Sequence, residues 1–375
     1  MLPQPPFWLI IIGFICALGP LVFIHEFGHY LVARWLGIRA EVFSIGFGRE
    51  IFGRTDKLGT RWKVGWLPLG GYVKFLGDMN AASEPGVESD VAPELRPYAF
   101  QFRPVWQRFL VVLAGPIANF LTAILIFAAF FIGFGSPQTN VIGAVQPGSA
   151  AARAGLQPGD RILAIANRST KTFDDVRSVT MIRPDKTVIV RFERGGTVQA
   201  KPVTLDKDVI VDPFGKSFER GLLGIAPSTS SLRRMGPIEA IPEAIGYTWR
   251  ITVAMADGLG QIIAGDRGTE DVGGPIKIAQ IAGQQASLGL LPFVQLVALF
   301  SINLGFINLL PVPMLDGGHL AFYAVEAVRR RPLSAQATEW AFRGGLALIL
   351  ALVLFTTVND LGSVGLIDGL HRLIG

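Results

Sequence analysis

Two histidines and a glutamate in HEFGH, residues 25–29, have the spacing needed to hold a metal ion and to use it. On a helix, His25 and His29 sit about one turn apart and point the same way, so both imidazoles can reach one cation. Glu26 projects from an adjacent part of the surface, where it can act on a water beside the metal without ligating. Zinc-dependent peptide hydrolysis uses this arrangement of two ligands and a general base. The metal polarises a carbonyl and acidifies water, while the carboxylate relays the proton. Only four histidines occur in the chain, and two of them fill this pattern. The competing reading is a polar cluster that packs helices together.

A catalytic zinc takes three protein ligands and leaves a position open, and HEFGH supplies two. The best candidate for the third is Asp316 in NLLPVPMLDGGH. There Pro311 and Pro313 break a helix, and Gly317 and Gly318 allow close backbone approach. His319 competes for the role. His371, in the far tail, is set aside.

These groups must be carried by elements built for lipid. Half of the 375 residues are apolar and 17% are charged, against about a quarter charged in a typical soluble protein. The apolar residues gather into long runs, predicting a polytopic α-helical membrane protein with about four transmembrane helices, near residues 7–31, 109–134, 290–310 and 340–358. The first run lacks the basic start and cleavage site of a signal peptide, so it is read as retained. A single cysteine, Cys16, excludes an intrachain disulfide and a cysteine-rich metal site. The net charge of +5 fits basic residues gathered beside membrane segments better than it fits nucleic acid.

Basic residues from Arg34 to Lys63, and at Arg329 to Arg331, place those two connections in the cytoplasm. Both termini and the long middle region then fall outside it. The first and third spans bring HEFGH and Asp316 to one depth near the cytoplasmic side. Histidine and carboxylate at that depth are expensive unless partnered, which marks them as functional.

Residues 39–77 alternate aromatic or β-branched residues with glycine, predicting short strands and turns in a membrane-associated β-rich loop; an amphipathic cytoplasmic loop is the alternative. Residues 78–97 read as an acidic, proline-rich linker. Residues 136–206 form a separate soluble unit of short strands with helices at the Ala-rich stretch and at 173–181. Its expected core includes Val145, Ala151, Ala154, Leu156, Ile162, Val179, Val188 and Val190. A connector follows over 207–289, with an interfacial helix near 238–263.

On HEFGH, GGYVKF, GPIANF (115–120), GGPIKIA (273–279) and NLGFINLLPVPMLDGGH (303–319), the chain resembles the site-2 protease family of intramembrane zinc metalloproteases. It is most similar to bacterial members that act on anti-sigma factors. The resemblance implies one Zn2+ per chain held by His25, His29 and Asp316, with Glu26 as catalytic base. It also implies Asn303 and Asn308 as substrate-positioning residues, and Gly115, Pro116, Asn119, Gly317 and Gly318 as support of the site. A multi-pass protein of the bacterial inner membrane is implied, with single-span substrates trimmed beforehand by a site-1-type protease. The 136–206 unit resembles an extracytoplasmic PDZ domain, whose carboxylate-holding loop is expected within GFGSPQTN (133–140), and 207–236 is expected to be linker. The competing classes are a PDZ-bearing membrane adaptor without catalysis and a metal transporter or sensor.

Overall fold

The long apolar runs are helices in the computed structural model, which describes residues 5–77, 91–135, 140–211, 217–228, 235–265, 273–331 and 333–363. Four of these helices are long and apolar enough to cross a membrane. They are α1 (Phe7–Trp35), α2 (Val105–Gly133), α7 (Leu290–Asn308) and α9 (Ala335–Ser363). The last is longer than the sequence predicts, because Arg343 pairs with Glu339 one turn away and does not interrupt it. Between them in chain order lie β1 (Ala40–Thr55) and β2 (Arg61–Phe75), then β3 to β10, α3 to α6, and α8. The chain divides into two compact units, residues 4–126 with 273–360, and residues 127–272.

In the first unit, small residues let helices close on one another. A Cβ on Gly28 of α1 would stand 2.5 Å from Ala114 O of α2, and one on Gly13 would stand 3.0 Å from Ala282 O. Ala282 lies on α6 (Pro275–Ser287), a helix that the sequence reading left inside the connector. Asp360 of α9 caps it, accepting from Gly274 N and Lys277 N at 3.0 Å. The GGP of GGPIKIA is thus a helix start docked on α9.

The 39–77 region folds as β1 on β2 with both strands bent back on themselves: residues 42–45 lie between 71–74 and 61–64, and 52–55 pair antiparallel with 61–64, in keeping with the short strands and turns expected from the sequence. Gly46 and Gly70, at φ 84° and 88°, supply the positive angles at which its strands bend. Phe43, Val73 and Phe75 of the hairpin are buried with Tyr30, Ala33 and Val111 of the helices. Of the 78–97 linker, 78–90 lies outside the described residues. Its end is ordered as a 3-10 turn over Pro93–Tyr98, because the neighbouring Phe100 is buried and stacks on Phe75 at 5.1 Å.

The second unit holds a four-stranded sheet ordered β5 (Arg168–Ser169), β4 (Arg161–Ile165), β6 (Thr187–Arg194), β7 (Thr197–Thr204). The short helices are α3 (Ala150–Arg153) and α4 (Phe173–Met181), the latter started by a Thr172–Asp175 capping box. All eight expected core residues lie in or against its hydrophobic cluster. The unit does not stop at 206. A hairpin, β8 (Asp206–Val211) with β9 (Ser217–Leu222), leads into β10 (Ile225–Pro227), which pairs with β3 (Ile142–Val145). Leu205 and Leu223 are buried in the same core. RGLLGIAP is therefore part of this unit, because a strand distant in sequence closes it, and the linker expected over 207–236 is corrected accordingly. The expected carboxylate-holding loop falls partly on 136–139, outside the described residues.

Helix α5 (Pro237–Ile263) packs on α4 of this unit. Its Arg250 Nε lies 2.8 Å from Asp175 Oδ1, and its Asp257 takes Arg168 and Arg183. Arg250 and Asp257, two of the charges that interrupt this apolar stretch in the sequence, are thus paired across that contact, while Glu243 pairs with Arg250 within the helix.

Candidate active site

HEFGH lies in the C-terminal half of α1, with His25 and His29 buried and facing α2. Gly115 of α2 makes room for the two rings. A Cβ there would stand 2.9 Å from His25 Cε1, and still nearer to His29 Cε1 and Nε2. The rings are held edge to face, 4.8 Å between centroids. His29 Nδ1 lies 2.8 Å from Val111 O, and His25 Nδ1 lies 3.1 Å from Asn119 Nδ2.

Asp316 starts its own helix, α8 (Asp316–Arg329), rather than trailing from α7. The chain leaves α7 at Asn308 and turns through Leu309 to Leu315, with Met314 at φ 80°, a costly conformation for a side-chain-bearing residue. Gly317 sits against the carbonyls of Leu309 and Leu310, and a Cβ on Gly318 would stand 2.8 Å from Pro313 Cα. Neither position has room for a side chain, so α8 can begin directly under the turn. Farther along α8, Glu326 pairs with Arg108 of α2 at 2.7 Å and fixes the helix.

This brings Asp316 Oδ2 to 3.0 Å from His25 Nε2 and 3.5 Å from His29 Nε2. One ligand atom from each of the three residues falls within 4.8 Å of the others. Burial pushes the Asp316 carboxyl up, but His29 and His25 outweigh it and hold the group well below the usual carboxylate range. The competitor, His319, is not in this cluster. Its Nδ1 lies 3.2 Å from Leu315 O and its ring packs on Phe342. Burial holds it below the usual histidine range. His371 lies outside the described residues.

A cavity of about 270 Å³ opens on these groups. Glu26, Asn308, Met314 and His319 line it beside the three clustered residues, and Gly70 to Val73 of β2 form another wall. Asn303 is not among the lining residues, although it lies on the same helix as Asn308. Pro116 is buried within α2, its carbonyl against Gly305 of α7. The sequence reading missed the Val111 carbonyl and the β2 wall, because a backbone atom and a strand's position leave no residue-type signal.

Residues 13–352 match the sequence profile of Peptidase family M50. The chain belongs to that family. A Rhizobium meliloti protein with a provisional zinc-metalloprotease name is 46% identical over 355 residues, covering 93% of this chain and 95% of the relative. Metalloprotease MmpA of Caulobacter vibrioides is 38% identical over 385 residues, covering 95% and 96%. The M50 match and the four apolar helices make this a membrane protein and agree with the resemblance read from HEFGH and LDGGH. Among solved structures, the PDZ domain of a Listeria monocytogenes SdrC-like protein aligns with 24% of this chain and 90% of its own length. Its identity is 18% and its TM-score 0.19.

Proposed function

We propose that this M50 peptidase is a zinc endopeptidase that hydrolyses peptide bonds in or near transmembrane segments of other membrane proteins. The observation that carries it is the meeting of His25 Nε2, His29 Nε2 and Asp316 Oδ2 beside Glu26 in one cavity. The donor set fits zinc: two imidazole nitrogens and a carboxylate oxygen, with a position left for substrate. Asp316 Oδ2 is buried without a hydrogen bond. The Nε2 atoms of His25 and His29 converge on it at 3.0 and 3.5 Å, and a cation held between the three would take the place of shared protons.

Bound there, zinc acts as a Lewis acid on a substrate carbonyl and makes water nucleophilic at neutral pH. Glu26 lines the same cavity as the cluster, where it can take the proton from the attacking water and return it to the leaving amine. Asn308 reaches the same cavity from α7 and can hydrogen-bond the substrate backbone. A helical substrate must unwind there, because a helix spends its amides on its own hydrogen bonds. Segments with weak helix formers are favoured substrates.

The substrate class we infer is a single-span membrane protein, such as an anti-sigma factor, already trimmed by another protease. The inserted unit lies outside the cytoplasm of a bacterial inner membrane in this reading, the active site lies near the cytoplasmic side, and the exposed apolar side chains of α5, Ile238, Ile241 and Ile245, rest in the interface. The test measures zinc stoichiometry and cleavage of a single-span substrate for Glu26→Gln and Asp316→Asn. Glu26→Gln is expected to keep zinc and lose about 10²–10⁴-fold in turnover. Asp316→Asn is expected to lose zinc and turnover together. Normal cleavage by Glu26→Gln would refute the mechanism.

A further inference from the structure

Both histidines meet α2 through their Nδ1 atoms, and both contacts fall on one stripe of that helix. Val111, Gly115 and Asn119 are each four residues apart and so share a face. Val111 O lies 2.8 Å from His29 Nδ1, Gly115 leaves space for the rings, and the Asn119 side chain meets His25 Nδ1. A carbonyl oxygen against Nδ1 fixes the proton there and leaves the Nε2 lone pair for a metal. His29 therefore carries the tautomer that a ligand needs.

His25 faces an amide, whose two ends have opposite consequences. An N–H of Asn119 against Nδ1 would send the ring proton to Nε2, the atom that faces Asp316 and His29. The amide oxygen against Nδ1 would do the reverse. Asn119 is fully buried, and its Oδ1 has no hydrogen-bond partner. Turning the amide by half a revolution exchanges oxygen and nitrogen without changing the outline of the side chain. The oxygen then accepts from His25 Nδ1–H, and the two histidines present matching lone pairs.

We propose that Asn119 is the positioning residue of His25: its Oδ1 accepts the Nδ1 proton and fixes the imidazole with Nε2 free for the metal. The α2 backbone at Asn119 is held in place by Ser301 Oγ of α7, which donates to the Asn119 carbonyl at 2.7 Å. One stripe of α2 thus orients both histidine ligands, by a backbone carbonyl at one end and a side-chain oxygen at the other. This rests on the zinc reading above.

The experiment titrates zinc against a competing chelator in the purified full-length protein and records the visible spectrum after cobalt substitution. Asn119→Leu keeps the volume and removes the oxygen; zinc binding should weaken about 10–100-fold, the range for loss of such a partner. Asn119→Asp keeps an oxygen at the same place and should bind zinc at least as tightly as the parent, with an unchanged cobalt spectrum. If Asn119 only packs helices together, the leucine variant would hold zinc like the parent, or the aspartate variant would lose it equally, and either result overturns the proposal. Asn119→Ala, which adds no bulk, replaces the leucine variant if the latter does not fold. His25→Ala serves as the control. Retention of a full zinc by that variant would refute the zinc site itself, whatever Asn119 does.

Discussion

Gly115→Ala adds one methyl group where the two ligand rings pass α2. A Cβ at that position stands 2.9 Å from His25 Cε1 and closer still to two atoms of His29. Carbon atoms in ordinary contact sit about 3.5 Å apart or more, so the His25 ring must retreat by about 0.6 Å and His29 farther. Ligand distances in a metal site tolerate about 0.2 Å. The displacement is several times that tolerance, and His29 cannot simply swing away, because its Nδ1 is bound to Val111 O on the same helix. Zinc affinity should fall by about 100-fold or more, beyond the usual cost of disturbing an outer partner. Alanine is the better helix former, so α2 itself should persist. The assay pairs zinc content, measured after dialysis against a weak chelator, with the thermal midpoint of the metal-free protein. Parent-like zinc affinity in Gly115→Ala would refute the claim that this glycine exists to admit the rings. Loss of zinc with a collapsed metal-free midpoint would assign it to helix packing instead.

His319→Ala should keep the full zinc content, since its ring lies outside the three-residue cluster and bonds Leu315 O instead; loss of zinc would restore it as a ligand. Asp160 in the inserted unit is 1% exposed and accepts two hydrogen bonds of 2.6 Å from Arg194. Burial pushes its carboxyl up, but Arg194 and the Gln157 N–H outweigh that and hold it below the usual carboxylate range. A lowered folded value means that the unfolded chain binds protons first. The stabilisation is therefore complete above about pH 4 and is lost as pH falls through the folded value. Asp160→Asn should cost that unit about 2–3 kcal/mol at neutral pH and remove this acid dependence. Hydrogen exchange over residues 142–227 of the full-length protein reads both, and unchanged protection would refute the assignment.

HEFGH and LDGGH were legible as candidate ligands and base because such chemistry depends on residue type and local spacing, and a helix converts a spacing of four into one face. The four apolar helices were legible for a similar reason, since length and apolar composition are local properties. Strand partners are not local. Nothing in RGLLGIAP shows that β10 crosses back to β3, and nothing in residues 311–316 shows that Asp316 heads a new helix instead of ending an old one. GGPIKIA was visible as a motif, but its role as a helix start capped by Asp360 required the fold. The sequence thus determined which groups could bind and use a metal. Only the tertiary structure decided that Asp316, and not His319, joins His25 and His29, because that choice depends on how closely α8 can start beneath the 309–315 turn, and two glycines set that distance.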